Sequence, residues 1–286
     1  MSIVVTGATG HLGRLAVESL LRRGVPADQI VALGRNVSRL ADLEARGVVA
    51  RAADYGDPAS LRAAFVGAEK LLFVSGSEAG RRGPQHHNVV TAAREAGVGL
   101  VAYTSIVKAD TSSLLLAAEH LATERELAAS GLPYVLLRNG WYLENYTGQL
   151  ATYLQHGVLG AARDGRVSAA ARADYAEAAA TVLATEGHAG RVYELGGAPF
   201  TMADLAAEVS RQSGRDVAYT DLPVEKYTEI LVGAGLPESY AAVLADADRG
   251  LAAGDLYVDG DDLRALIGRE PTLLAEAVGA ALPSAR

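Results

Sequence analysis

Near the start of the chain, Thr6-Gly7-Ala8-Thr9-Gly10-His11-Leu12-Gly13 spaces its glycines two residues apart, between a short apolar run and a segment of helical period. Small residues there let backbone N–H groups and a helix N-terminus converge on one point, and a pyrophosphate fits it. The first gap is one residue longer than in the most familiar dinucleotide fingerprint, and tight turns also need glycine. What points to a nucleotide cofactor is therefore the position of the loop, after a β run and before an amphipathic helix. No Gly-Lys-Ser/Thr closes the loop, which disfavours Walker-type binding.

A second apolar run ends Ala32-Leu33-Gly34-Arg35-Asn36. A carboxylate at this tip would hydrogen-bond the ribose of NAD and repel a 2′-phosphate, whereas the Arg35 guanidinium can clamp that phosphate and stack beside adenine, which favours NADP. The alternative is a solvated arginine capping the next helix. Asp54-Tyr55 follows the third run, where a carboxylate can accept from the adenine amino group or simply start a turn. Ser75-Gly76-Ser77-Glu78 and Thr104-Ser105 follow the fourth and fifth runs, and are expected to flank the nicotinamide side.

These positions require a frame of alternating strands and helices. Strands are expected at 3–6, 30–34, 48–52, 70–75, 100–104 and 134–137. Helices are expected at 11–23, 37–46, 60–66, 85–96 and 113–130, with Gly24, Gly47, Gly67, Gly97 and Gly131 as their stops. Short apolar strands separated by helices give an α/β fold, a Rossmann-type doubly wound parallel sheet. After about residue 140 the alternation gives way to helix-rich sequence, with alanine-rich helices near 174–185 and 239–252 and a helix start at Thr201-Met202-Ala203-Asp204. We therefore divide the chain into an NADP-binding domain, 1–149, and a smaller helix-rich substrate lobe, 150–286. The strand at 191–195 is placed either in that lobe or back in the main sheet.

The 286 residues carry 26 basic and 34 acidic side chains, a formal net charge of −8, which argues against nucleic acid as the main partner. Cysteine is absent, removing disulfides, thiolate zinc sites and cysteine nucleophiles. His86-His87 offers no metal site, because adjacent helical residues point in different directions and no Glu or Cys set completes one. No apolar stretch reaches the roughly 20 residues of a membrane span, and no leader precedes the first strand, so the expectation is a cytoplasmic protein without membrane insertion.

Further segments carry a specific likeness: Pro84-Gln85-His86, Tyr103-Thr104-Ser105, Leu137-Arg138-Asn139-Gly140-Trp141-Tyr142-Leu143-Glu144-Asn145-Tyr146, Arg172-Ala173-Asp174-Tyr175 and Leu266-Ile267-Gly268-Arg269-Glu270-Pro271-Thr272. With the glycine loop, Arg35-Asn36 and Asp54-Tyr55-Gly56-Asp57, they resemble the type 2 NAD(P)H:quinone oxidoreductases, atypical short-chain dehydrogenase/reductase proteins of the NmrA-like group. The resemblance implies NADPH held by Thr6 to Gly13, its 2′-phosphate near Arg35 and its nicotinamide ribose near Ser75 to Glu78. It also places Asn139 to Leu143 and Arg172 around the cofactor. Arg138 to Tyr142 follow the sixth strand at the same carboxyl edge and can close over the nicotinamide, although Trp141 serves equally as packing between the lobes.

Better-known members of that superfamily use a Tyr and a Lys four residues apart, and this chain has no such pair. By the resemblance the lysine position falls on His120, which could donate to ribose or to a quinone oxygen, with either protonation state available near neutrality. Tyr142, with Asn139 and His86 behind it, is the other candidate for contact with substrate. Without a strong local acid, a quinone fits better than a simple carbonyl, because water can protonate the hydroquinone anion that hydride delivery leaves. The expected activity is NADPH-dependent hydride transfer to a small-molecule quinone by a monomer or homodimer. A redox-sensing NADP(H)-binding regulator is the alternative. A sugar epimerase is weakened by the missing pair and the short second lobe.

Overall fold

The computed structural model describes residues 2–78 and 80–282. Met1, Ala79 and 283–286, which fall within the expected 1–149 and 150–286 divisions, lie outside the described residues. Seven parallel strands form the main sheet: β1 (Ile3–Val5), β2 (Ile30–Gly34), β3 (Val49–Ala52), β4 (Lys70–Phe73), β5 (Leu100–Ile106), β6 (Tyr134–Asn139) and β8 (Val192–Leu195), in the order β3-β2-β1-β4-β5-β6-β8. β7 (Val158–Gly160) and β9 (Tyr219–Asp221) make a separate parallel pair. Residues of β1, β2, β4 and β5 are buried along their whole length, which is why β1 and β2 read as unbroken apolar runs, while β4 opens on Lys70 and β5 carries Thr104 and Ser105 near its end.

The helices are α1 (His11–Arg22), α2 (Ala41–Glu44), α3 (Pro58–Ala64), α4 (Arg82–Glu95), α5 (Leu115–Ala129), α6 (Leu143–Thr147), α7 (Leu150–His156), α8 (Arg172–Ala184), α9 (Met202–Ser213), α10 (Val224–Gly233), α11 (Glu238–Ala252), α12 (Asp262–Ile267) and α13 (Leu274–Ala281). The expected helix over 37–46 is instead a 3₁₀ turn, Val37–Leu40, followed by the short α2, because the Asn36 side chain accepts from the Ser38 N–H at 3.2 Å and tightens the first turn. All five expected helix-stop glycines take positive φ. Thr201 and Asp204 close the expected capping box of α9.

One face of the sheet packs on α1, α8 and α12, through residues such as Leu12, Val17, Ala179, Leu183 and Ile267. The other packs on α3, α4 and α5, around Phe65, Phe73, Val89 and Leu127. A third core, around Leu143, Tyr146, Phe200, Leu205 and Leu251, belongs to the second lobe. The boundary near 149 therefore divides the chain less cleanly than the cores do: α8, β8 and α12 return to the first core, leaving 141–169, 200–258 and α13 on the side of the second. Strand order reverses between β1 and β4, and the crevice beyond the carboxyl ends there is where ligands bind in open α/β sheets.

Candidate cofactor cleft and active site

At that reversal point lies a cleft of about 400 Å3. Gly7, Thr9, Gly10, His11, Leu12 and Gly13 form its floor. No side chain caps the N-terminus of α1, so the first-turn amides of His11, Leu12 and Gly13 stand open at the cleft. The loop is closed on itself: Gly7 takes φ +62°, and a Cβ on Gly13 would sit 2.5 Å from the Gly7 carbonyl oxygen. Ala8 is buried, and its N–H donates to the Leu33 carbonyl at 2.8 Å. Thr6 lies beneath the cleft; its Oγ1 accepts from the Val74 N–H at 2.9 Å and donates to the Leu72 carbonyl at 3.1 Å.

Arg35, Asp54, Tyr55, Ser75, Gly76, Ser77 and Glu78 complete the walls, together with Gly34, Ala53, Val74 and Gln85, which the sequence did not signal. Arg35 is largely exposed and pairs with Glu78 at 3.1 Å, so the structure groups Ser75 to Glu78 with Arg35 and Asp54 in one cleft. Asp54 takes the turn role, its Oδ1 accepting from the Gly56 N–H at 2.7 Å, and it also lines the cleft. The Tyr55 hydroxyl donates to the Val74 carbonyl at 2.6 Å, and burial raises its pKa. Thr104 lies outside the cleft lining; its Oγ1 accepts from the Ser75 N–H at 2.9 Å and so holds the loop.

The end of β6, which runs on through Arg138 and Asn139, and the segment after it are arranged differently from expectation. Arg138 lies in a buried ion network, bonded to Glu124 at 2.7 Å, Asp110 at 2.8 Å and Glu194 at 2.9 Å. Its donors are taken up by carboxylates that raise its pKa further, so it is held away from the cleft as a tie between β6, α5 and β8. Gly140 is packed so closely that a Cβ would meet the Ser168 carbonyl oxygen at 2.8 Å. Leu143 is buried in the second core, and Trp141 packs against that core, the interface role left open above. Tyr142 is half-buried, with the Arg172 guanidinium 4.9 Å from its ring centroid. Asn139 reaches Tyr142, yet its own buried Oδ1 has no partner.

His120 is 4% exposed, and its Nδ1 shares a hydrogen bond with the Tyr103 hydroxyl at 2.9 Å. Burial, with the Arg82 charge adding, pushes its pKa down to about 3, so the expectation that both protonation states would be available near neutrality is not met. Histidine 86 is likewise buried and lowered to about 4; its Nε2 accepts from the Gly76 N–H at 2.9 Å, which leaves Nδ1–H to donate to Thr123 Oγ1 at 2.8 Å. Arg82, missed because Arg81-Arg82 reads as a solvated helix start, grips the Gly76 carbonyl at 2.5 Å and Glu119 at 3.1 Å. The cleft loop is thus positioned by α4 and α5. Among the described residues no group of three His, Cys, Asp or Glu side chains is placed to hold a metal, and no helix is long and apolar enough to cross a membrane.

A parallel sheet of this order with a glycine cradle at its reversal point defines a Rossmann-type dinucleotide-binding protein. The chain belongs to the NAD(P)H-binding family, whose model matches residues 7–186. It is 51% identical over 278 residues to quinone oxidoreductase 2 of Escherichia coli K12, covering 96% of this chain and 97% of that protein. It is 29% identical to the NAD(P)H azoreductase of Xenophilus azovorans, over 96% of both chains. Among solved structures, the E. coli NADPH-dependent quinone oxidoreductase complexed with NADPH superposes with a TM-score of 0.95 at 50% identity, covering 97% of this chain and 99% of that one. The Citrobacter sp. triphenylmethane reductase complexed with NADP(H) gives 0.94 at 41% identity, covering 98% and 100%. The resemblance to type 2 quinone oxidoreductases read from the sequence is borne out.

Proposed function

We propose that this protein is an NADPH-dependent oxidoreductase that reduces a quinone. The observation that carries this reading is the 51% identity to quinone oxidoreductase 2, spread over nearly the whole of both chains and not confined to the glycine loop. The cleft fits the cofactor on its own terms: it has open helix-terminal amides for a pyrophosphate, a floor that a single Cβ would obstruct, and a guanidinium at its rim.

NADPH, when bound, supplies the hydride; with one proton from water, a quinone becomes a hydroquinone. Around that exchange the chain's residues hold and orient. The Thr6 to Gly13 loop holds the pyrophosphate, Arg35 the 2′-phosphate and Asp54 the adenine. Asn139 Oδ1, buried and unpartnered, is an acceptor for an N–H donor such as a nicotinamide carboxamide. Tyr142, its pKa raised by burial, stays protonated and can donate to a quinone oxygen. His120 acts as a neutral hydrogen-bonding group, not as an acid. The enzyme works in the cytoplasm, as a monomer or homodimer, on a small-molecule acceptor.

The test is steady-state oxidation of NADPH beside NADH, with benzoquinones and naphthoquinones and a no-acceptor control. Acceptor-dependent turnover preferring NADPH is expected. Tight NADPH binding with no turnover on any quinone would overturn the reductase reading in favour of a cofactor sensor.

A further inference from the structure

The second lobe contains a cavity of about 670 Å3, well within the roughly 300–1,000 Å3 of small-molecule sites. Tyr146 of α6 and Tyr153 of α7 face Tyr227 of α10 and Asp248 of α11 across it, with Leu231 and Leu244 among its apolar walls. Trp141, two residues past the end of β6, lines it as well, so the cavity begins where the carboxyl edge of the main sheet passes the chain to the second lobe.

Its polar groups are unusual for a packed interior. Tyr146 is only 8% exposed, yet among the described residues its hydroxyl has no partner, and the Tyr153 and Tyr227 hydroxyls have none either. Burial and the neighbouring Asp248 charge keep all of them protonated. Asp248 uses Oδ2 to accept from the Ala161 N–H at 2.7 Å, leaving Oδ1 over. The remaining ionisable lining residues are Glu144, already occupied by the Arg172 N–H at 3.0 Å, His156 and Tyr240; among the described residues no lysine or arginine lines the cavity. Unpaired hydroxyls and a carboxylate in an apolar, ring-lined box suit a ligand that brings its own polar and positive groups.

We propose that this cavity binds an aromatic molecule carrying positive charge, with Asp248 as counter-charge and the rings of Trp141, Tyr146, Tyr153 and Tyr227 as walls, and that the reductase's acceptor enters there. The first half stands on the cavity alone; the second rests on the reductase reading above. Ring faces attract cations, the hydroxyls can donate to carbonyl oxygens, and an anion would meet Asp248 and Glu144 with no lysine or arginine among the described lining residues to offset them. Asp248, pushed up to about 6 by burial, is ionised at mildly alkaline pH.

Trp141 is the single tryptophan of the chain, so its emission reports occupancy without turnover. Naphthyl-trimethylammonium, methoxynaphthalene and naphthalenesulfonate, titrated into the NADP+-loaded protein at about pH 8, separate charge from ring size. The cation is expected to quench Trp141 with a Kd about tenfold or more below that of the sulfonate. Asp248→Asn, which keeps an oxygen for the Ala161 N–H, should collapse that ratio and leave the neutral probe unchanged. Should this variant fail to fold, Gln149→Lys, at an exposed position on the rim, should lower the ratio in its place. Equal quenching by cation and sulfonate, a ratio that survives both variants, or no quenching by any probe would overturn the site. In parallel, quinones bearing the same ammonium and sulfonate groups should show the same order in kcat/KM. Selective quenching with indifferent kcat/KM would place the acceptor elsewhere, and selective quenching without any NADPH oxidation would remove only the reductase reading.

Discussion

The Glu78 carboxylate reaches across the mouth of the cleft to the Arg35 guanidinium at 3.1 Å, and the same carboxylate holds Arg81 at 3.0 Å and Gln85 at 3.2 Å. Arg35 is thereby kept at the rim instead of swinging in solvent, but its charge is shared with a group that a 2′-phosphate would have to compete with.

Replacing Arg35 with glutamate should weaken NADPH binding by roughly tenfold or more, the scale of one charged hydrogen-bonded contact, while NADH changes little. Equal losses for the two cofactors, measured by fluorescence titration, would withdraw Arg35 from the 2′-phosphate. Glu78→Gln should instead tighten NADPH by about threefold at most, because an exposed pair is weak to begin with.

Gly13→Ala should disable the cleft. The added methyl would come 2.5 Å from the Gly7 carbonyl oxygen, where only backbone can give way. The expected result is loss of cofactor affinity together with a lower Tm; retention of both would show that the loop can open without cost.

Acid should destabilise the protein through its buried histidines. His86 and His120 have folded pKa values near 4 and 3, below the ordinary 6.5, so the unfolded chain takes up protons that the folded chain refuses as pH falls through about 6.5 toward 4. Asp248, raised to about 6, runs the other way, being the better proton binder when folded. Stability should fall on acidification, and His120→Gln should flatten the dependence of unfolding free energy on pH by about one proton across that window. An unchanged slope would mean that His120 titrates normally.

Arg138 should matter for stability far more than for binding. Glu124→Gln leaves the buried guanidinium short of its main partner, and the loss of one member of such a pair costs about 3–5 kcal/mol. Urea unfolding should show this drop with little change in cofactor affinity normalised to folded protein.

Much of the fold was legible because parallel strands covered on both faces leave no polar alternation: Ile3–Val5 and Ile30–Gly34 read as plain apolar runs ended by glycine turns. The glycine cradle and Arg35 were legible for the same local reason, since loop position in a βα unit fixes which way its backbone faces. What failed to show was set by partners far away in sequence. Arg138 is claimed by Glu124 and Glu194, and His120 is neutralised by burial against Tyr103. Asp248 sat unnoticed in an alanine-rich helix, because only the fold brings α6, α7 and α10 around it.

The return of α8, β8 and α12 to the first core bears on how the molecule is made. The face of α1 that Leu12 and Val17 present is covered by α8, whose own residues pack on α12 with Leu263 and Ile267. On a ribosome, the N-terminal glycine cleft would emerge early but stand on a half-covered sheet until α8 had been synthesised. A fragment ending near residue 149 would expose that apolar face and aggregate.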